Sequence, residues 1–221
     1  MLVQALRSDI EIKPRYVASA KPAGTIEMMG TLMPFSRNTE IYGEGESVEF
    51  IYKVVSGAVR TYKVLMDGRR QVGSFYLPGD IFGLESGEDH TFSAEAVVNS
   101  KVLMIKRGHL DAVASRESDV ARQVLGAMRR ELRRLQDHIL LLVKSAQERV
   151  AGFLLEMAER SESHGEIELP MSRQDIADYL GLTIETVSRT LTSMESASMI
   201  ALPSARRVVL CDRAALARLN R

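Results

Sequence analysis

One apolar stripe between residues 120 and 142 constrains the fold of this chain more than any other feature. Its members follow one another at intervals of three and four residues: Val120, Val124, Met128, Leu132, Leu135, Ile139 and Leu142. This spacing places them on one face of an α-helix. Such a helix extends beyond a small domain, so a second copy of the same helix is the simplest cover for the stripe. We therefore predict a dimerisation helix over residues 117–145, with these seven side chains in the interface. Packing of the stripe on its own domain is the alternative.

Residues 28–116 have a different pattern, in which short apolar or alternating runs are separated by turn residues. Two such runs lie at 48–55 and 58–65, and the second is followed by Asp67-Gly68, a pair typical of tight hairpins. Several short strands at this spacing predict a small antiparallel β-roll of jelly-roll type. Residues 1–27 show no sustained periodicity and are expected to form a loosely packed N-terminal arm.

Residues 172–196 have the pattern of two short helices joined by a tight turn. Ser172 and Thr183 are suitable N-caps, and Gly181 suits the left-handed position that ends a helix. Apolar residues fall where the two helices would face each other: Ile176, Ala177, Leu180, Val187, Leu191 and Met194. This pattern predicts a helix-turn-helix. Strands predicted at 199–203 and 208–212 flank a basic turn, which completes a winged helix-turn-helix domain over residues 146–221 and an α+β fold.

The outward face of the second helix carries side chains that suit contact with double-stranded DNA. Glu185, Ser188 and Arg189 offer an acceptor, a hydroxyl and a bidentate donor to base edges in the major groove. Six further residues are placed where they would contact the sugar-phosphate backbone: Ser172, Arg173, Thr183, Thr192, Arg206 and Arg207. An ordinary solvated helix face is the alternative interpretation of the same residues.

The composition excludes several classes of site. Cys211 is the only cysteine, so the chain has too few thiolates for a zinc finger or a cysteine-ligated iron–sulfur cluster. The histidines are scattered and are expected to be solvated, without a metal site: His90, His109, His138 and His164. Cys211 is expected to pack within a wing strand, with a redox role as the alternative. No cluster of acid, base and nucleophile indicates an enzyme, and no catalytic residue is assigned. The chain has neither an apolar run that spans a bilayer nor a secretory signal, so we expect a cytoplasmic protein.

In their order, the roll, the long helix and the winged helix-turn-helix resemble the CRP/FNR superfamily of bacterial transcription regulators. Residues 172–189, SRQDIADYLGLTIETVSR, are similar to the family's helix-turn-helix motif. Within them, Glu185-x-x-Ser188-Arg189 is similar to the E-x-x-S-R signature of the FNR and FixK branch. The resemblance extends from about residue 28 to residue 221. It implies a DNA-binding homodimer that recognises a palindrome of the form TTGA-N6-TCAA and that has RNA polymerase as a partner.

Two departures from the family pattern concern the signal that the regulator receives. Cyclic-AMP binders of the family hold the nucleotide with a Gly-Glu pair and an Arg-Ser/Thr pair, whereas this chain has Gly83-Leu84-Glu85 and His90-Thr91. FNR itself carries a cluster on N-terminal cysteines, which this sequence lacks. The resemblance is therefore greatest to FixK-type regulators, which activate genes for micro-oxic respiration and nitrogen fixation, and no cofactor is expected. A regulator of the same fold that is gated by a small ligand or by haem is the alternative.

Overall fold

The computed structural model describes residues 26–161 and 165–220. The predicted N-terminal arm therefore lies outside the described residues except for its last two positions. Ile26 begins a short 3-10 helix, Ile26–Met28, and is 1% exposed in a core that contains Ile105 and Leu110. The predicted boundary between arm and roll thus falls inside this core, because the apolar side chain at position 26 helps to fill it.

Among the described residues, eight strands form the roll as two antiparallel four-stranded sheets. They are β1 (Thr31–Phe35), β2 (Glu40–Tyr42), β3 (Phe50–Ser56), β4 (Val59–Val64), β5 (Arg70–Tyr76), β6 (Ile81–Phe82), β7 (Ser93–Ala96) and β8 (Ser100–Lys106). The sheets have the orders β1-β8-β3-β6 and β2-β7-β4-β5. Val54, Val59, Ala94 and Val102 come from both sheets and are fully buried in one core. The roll predicted from the short alternating runs is confirmed.

The hairpin between β4 and β5 turns at the predicted Asp67-Gly68 pair. Gly68 has a φ of +83°, a conformation that glycine adopts without strain. The Leu65 amide donates a hydrogen bond to the Arg69 carbonyl at 2.8 Å and thereby closes the turn. The hairpin fixes the start of β5, which is one of the two edge strands of its sheet.

A long helix follows the roll and has two distinct faces. After α1 (Arg107–Ala114), helix α2 runs over Ser118–Leu142 and has 25 residues. Its inner face packs on its own chain and consists of Val120, Val124, Ala127, Glu131, Arg134, His138 and Leu141. Its outer stripe is apolar, and each of its residues is between 37% and 64% exposed: Leu125, Met128, Leu132, Leu135, Ile139 and Leu142.

The seam predicted from the sequence mixes members of the two faces. Val120 is fully buried against the roll, and Val124 is half-buried at the same core, so both are corrected from interface to core residues. Leu125, which the prediction omits, extends the outer stripe at the same three- and four-residue spacing. The error has a physical cause: the inner face becomes polar after Ala127, so that the next apolar residue, Met128, belongs to the other face.

The winged helix-turn-helix domain follows the predicted order of elements. These are α3 (Ala146–Arg160), β9 (Glu166–Glu168), α4 (Arg173–Leu180), α5 (Ile184–Ser196), β10 (Ile200–Ser204), β11 (Arg207–Leu210) and α6 (Arg213–Leu219). The strands form one antiparallel sheet of order β10-β11-β9. The six apolar residues predicted to join the helices of the helix-turn-helix are each at most 4% exposed. Local pattern and capping were sufficient to predict this domain.

The roll and the winged domain share one hydrophobic core. Phe75 of β5 contacts Phe153 of α3 and Tyr179 of α4, with ring centroids 6.3 and 5.2 Å apart. His138 of α2 stacks on Tyr179 at 4.1 Å. His138 and His90 are 9% and 3% exposed, so the expectation of solvated histidines is wrong for both. Each ring is buried because it stacks on a tyrosine that comes from a distant part of the sequence.

Candidate nucleic-acid interface

The first helix of the helix-turn-helix, α4, begins with a complete capping box. The Asp175 amide donates to Ser172 Oγ at 3.1 Å, and the Asp175 carboxylate accepts from the Ser172 amide at 3.0 Å. The Ser172 hydroxyl also donates to Asp175 Oδ2 at 2.7 Å. The proton of this hydroxyl is therefore already used within the helix end, which leaves the free amides of the first turn as the groups that suit a phosphate.

The turn between α4 and α5 is stabilised by the conformation of Gly181 and by a hydrogen bond from α3. Gly181 ends α4 in the left-handed conformation, with φ 62° and ψ 39°, as predicted. Arg149 of α3 donates from Nη1 to the Leu180 carbonyl at 2.7 Å and thereby satisfies a carbonyl that the helix itself leaves unpaired. Arg149 was not identified in the sequence analysis, because its partner lies 31 residues further along the chain.

Helix α5 presents the predicted base-reading residues on its exposed side. Thr183 caps the helix by accepting from the Thr186 amide at 3.2 Å. Glu185 and Arg189 are exposed, and Ser188 is half-buried. A hydrogen bond from its own amide, another from Thr183 and the charge of Arg189 lower the pKa of Glu185. Within residues 26–161 and 165–220, the Arg189 guanidinium has no hydrogen bond or ion pair, so both of its donor edges are available to a ligand.

Arg173 joins the two helices of the motif. Its Nη1 donates to Ser188 Oγ at 3.3 Å, so the start of α4 contacts the exposed side of α5. Its Nε is buried and has no hydrogen-bond partner in the described part of the chain. A buried donor without a partner is costly, although the guanidinium as a whole is only half-buried.

The two wing arginines differ in their exposure and in their partners. Arg207 is exposed at the start of β11, and its Nε pairs with Glu166 of β9 at 2.9 Å. Arg206 is half-buried and lines a cleft between the winged domain and the roll, together with Leu77 and Pro78. Thr192, by contrast, is exposed on α5 as predicted. The phosphate contacts of both arginines stay predictions: Arg207 is exposed, whereas Arg206 is half-buried because the wing lies beside β9 and faces the roll.

Two arginines of the roll, Arg60 and Arg70, also contact the start of α4 through Asp175. Burial by itself raises the pKa of Asp175, but hydrogen bonds from Ser172 and the charges of Arg60 and Arg70 outweigh that effect and lower it. The Asp175 carboxylate is therefore ionised while it caps the helix and pairs with the roll. No feature of the local sequence indicates this contact.

The cavity of the roll contains carboxylates where a cyclic nucleotide would need a cation. Glu85 and Glu131 line it, together with Thr61, Ser74 and Tyr76. Tyr76 Oη donates to Glu131 at 2.8 Å, and burial followed by the charge of Glu131 raises the pKa of this tyrosine.

The residue in the place of the family's phosphate-binding arginine, His90, faces the interior of the roll. It stacks on Tyr42 at 3.6 Å, and its Nδ1 is 3.4 Å from Glu85 Oε1. The position thus carries no guanidinium to hold a phosphate.

Three other expectations concern isolated features. Cys211 is exposed and follows β11 directly, so the predicted packing role is wrong. In the part of the chain that the structure describes, no group of three or more His, Cys, Asp or Glu side chains is placed to hold a metal ion. None of the helices described is both long and apolar enough to cross a membrane.

Comparison with known proteins identifies both halves of the chain. Residues 148–219 match the family of Crp-like helix-turn-helix domains, and residues 32–117 match the cyclic nucleotide-binding domain. The nitrogen fixation regulation protein FixK of Azorhizobium caulinodans is 52% identical over 208 residues, which cover 91% of this chain and 84% of that protein. FixK of Rhizobium meliloti is 41% identical, with 88% and 82% covered. The structure of FixK2 from Bradyrhizobium japonicum superimposes with a TM-score of 0.82 at 49% identity, and covers 87% of this chain and 98% of that one.

These relatives are regulators of transcription, and the likeness extends over both domains and the long helix between them. The chain belongs to the CRP/FNR family of transcription regulators, and within it to the FixK type.

Proposed function

We propose that this regulator binds as a homodimer to a palindrome of the form TTGA-N6-TCAA and reads it with α5. The observation that carries the proposal is the exposed pair Glu185 and Arg189, beside a Ser188 hydroxyl that is held by Arg173. Half-sites in this palindrome are centred about 10 base pairs apart, which is one helical turn, roughly 34–36 Å. Two recognition helices related by a two-fold axis therefore enter successive major grooves on one side of the duplex.

Each base contact follows from the chemistry of the side chain. The Arg189 guanidinium donates to O6 and N7 of the guanine, and the ionised Glu185 carboxylate accepts from a cytosine amino group. Ser188 Oγ already accepts from Arg173, so its own proton is free to donate to thymine O4. This combination favours a half-site with adjacent thymine and guanine.

Contacts to the sugar-phosphate backbone come from the ends of the helices and from the wing. The first-turn amides that follow Ser172 and the half-buried guanidinium of Arg173 suit one phosphate, and Thr183 and Thr192 flank the base-reading residues on α5. Arg207 contributes if it exchanges Glu166 for a phosphate, and Arg206 if it turns out of its cleft.

The outer stripe of α2 is the proposed dimer seam. Its six residues from Leu125 to Leu142 follow the alternating three- and four-residue spacing of a coiled coil. All are at least 37% exposed in the single chain, which leaves apolar surface that a second α2 would cover. Met128, Leu132, Leu135, Ile139 and Leu142 remain from the sequence prediction.

The regulator is further proposed to bind DNA without a cyclic nucleotide. The carboxylates of Glu85 and Glu131 would repel a phosphate in the roll, and His90 does not replace the missing arginine. Calorimetry with cyclic AMP is expected to show no binding. Micromolar affinity, or a gel shift that requires the nucleotide, would contradict this part of the proposal.

A second candidate is a regulator gated by a small ligand or haem in the roll, and one observation favours it. Tyr42 Oη, Glu85 Oε2 and both ring nitrogens of His90 are buried without a hydrogen-bond partner among the described residues. Such atoms call for a water or a ligand. The absorbance spectrum of the purified protein tests for haem, and a gel shift before and after exhaustive dialysis tests for a diffusible ligand.

The proposed role is activation, through RNA polymerase, of genes for nitrogen fixation and micro-oxic respiration. Support comes from the names of relatives: FixK proteins regulate nitrogen fixation, and Anr of Pseudomonas protegens, 35% identical over 76% of this chain, is a transcriptional activator. Transcription in vitro from a promoter with the palindrome, with and without this protein, tests the role directly. An unchanged transcript level in the presence of a clear gel shift would separate DNA binding from activation.

A further inference from the structure

A network of five charged side chains connects the roll to the first helix of the helix-turn-helix. Arg60 of β4 donates to Asp175 at 2.7 Å and to Glu95 of β7 at 2.8 Å. Arg70 of β5 donates to Asp175 at 2.6 Å and to Asp178 at 2.8 Å. The two arginines thus hold two successive turns of α4.

The network is shielded from water, which makes its geometry specific. The side chains of Arg60 and Asp175 are 8% and 6% exposed, and those of Arg70 and Asp178 are 26% and 12% exposed. The ring of Tyr62 lies about equally far from both guanidinium groups, at 6.0 and 5.9 Å. Buried charges of this kind stabilise a fold weakly but oppose any change in the relative position of their partners.

The pairing reaches the proposed DNA contacts directly. Asp175 caps α4 through Ser172, and the next residue, Arg173, donates to Ser188 on the recognition helix. At the other end, α2 packs on the roll with its inner face and exposes the proposed dimer seam on its outer stripe. The network therefore completes a rigid path from the dimer axis to α5. The shared apolar core holds the domains together, whereas the ion pairs fix the orientation of α4 on the roll.

We propose that Arg60 and Arg70 are positioning residues that set which spacing between half-sites the dimer accepts. This inference rests on the proposed binding of a homodimer to a palindrome. One extra base pair moves a half-site by about 3.4 Å and rotates it by about 35° around the duplex. A winged domain that the ion pairs hold in one orientation on its roll cannot follow that displacement, whereas a winged domain without these ion pairs can.

The test uses two substitutions on opposite sides of one ion pair. Arg70→Gln and Asp178→Asn each break the pair without touching Ser172, Arg173 or the base-reading residues. Lys63→Gln is the matched control, since it removes one cation from the same hairpin, where Lys63 pairs with Glu44 of the roll at 2.7 Å. Fluorescence anisotropy is measured on palindromes whose spacers are optimal, one base pair shorter and one base pair longer.

The parent and Lys63→Gln are expected to prefer the optimal spacer strongly. In Arg70→Gln and in Asp178→Asn, the ratio of affinities between the optimal and the shifted spacers is expected to fall by at least about threefold, the effect of losing a partly buried pair. The double variant should equal Arg70→Gln, because Arg70→Gln already breaks the pair with Asp178 together with the contact to Asp175. A uniform loss of affinity on all spacers, as a destabilised fold would give, overturns the proposal.

The outcomes also separate this inference from the proposed function. If the parent shows no preference for the palindrome, the proposed function fails. If the parent discriminates between spacers and both variants discriminate equally well, the function stands and the positioning role is refuted. Tighter binding by the variants at the optimal spacer would mean that the network restrains binding, which also refutes it. Thermal unfolding verifies that the two variants are folded at the assay temperature.

Discussion

Ile139→Ala tests whether the outer stripe of α2 is the seam of the dimer. Full burial of an isoleucine side chain stabilises by about 1.5–3 kcal/mol. Ile139 is 64% exposed in the single chain, so about two-thirds of this, about 1–2 kcal/mol per protomer, is gained only when a partner covers it. The two copies together give about 2–4 kcal/mol, and the dimer Kd is expected to rise about 30- to 700-fold.

Sedimentation equilibrium over a range of concentrations measures that constant, and Leu140→Ala is the control. Leu140 is 60% exposed, almost as much as Ile139, but it lies off the stripe beside α3 and α6. Its substitution should leave the dimer Kd unchanged. If the two variants weaken the dimer equally, or if neither does, the assignment of the seam is refuted. DNA affinity should fall with the dimer fraction in Ile139→Ala alone.

Four further predictions concern the DNA-binding domain. Arg189→Ala should cost about 1–3 kcal/mol per half-site and remove the discrimination against sites in which the G·C pair is replaced; retained discrimination would show that another residue reads this pair. Ser172→Ala should lower the free energy of unfolding by about 1 kcal/mol, measured with urea, because α4 loses its cap. The pKa of Asp175 is lowered in the folded chain, so the stabilisation that its carboxylate provides is complete above the unfolded pKa of about 3.9 and is lost as the pH falls through the lower folded pKa. Asp175→Asn should therefore flatten the dependence of the free energy of unfolding on pH in acid. A curve parallel to that of the parent would contradict this. Cys211→Ser should change the free energy of unfolding by less than about 0.5 kcal/mol, because the thiol is exposed. Peroxide should affect DNA binding equally in the parent and in Cys211→Ser, and a loss of binding in the parent alone would show a redox role for this thiol.

Features that depend on neighbours in the sequence were predictable. The caps Ser172 and Thr183, the left-handed Gly181 and the hairpin at Asp67-Gly68 each follow from the conformational preferences of one or two residues. Helix α2 and its length follow from periodicity. Periodicity does not show which face of α2 meets a partner, because Val120 and Leu125 are both apolar and differ only in whether the roll covers them.

Features that depend on long-range contacts were not predictable from a single sequence. Arg70 and Asp175 are 105 residues apart, and nothing in either segment indicates that they pair. His138 is a polar residue but is buried, because its ring stacks on Tyr179 of the winged domain. The turn sequence predicts two arginines in the wing, but it does not show that Arg207 pairs with Glu166 of the neighbouring β9.

The core shared by the two domains has a consequence for their independence. Phe153 and Tyr179 are at most 4% exposed, partly because Phe75 of the roll lies against them. A fragment that begins at α3 would present these rings to water, so it should aggregate or melt at a lower temperature than the whole chain. The two halves are expected to unfold in a single transition. Exchange of the winged domain between related regulators would then succeed only when the surface around Phe75 is exchanged with it, which makes the roll part of the folding unit of the DNA-binding domain.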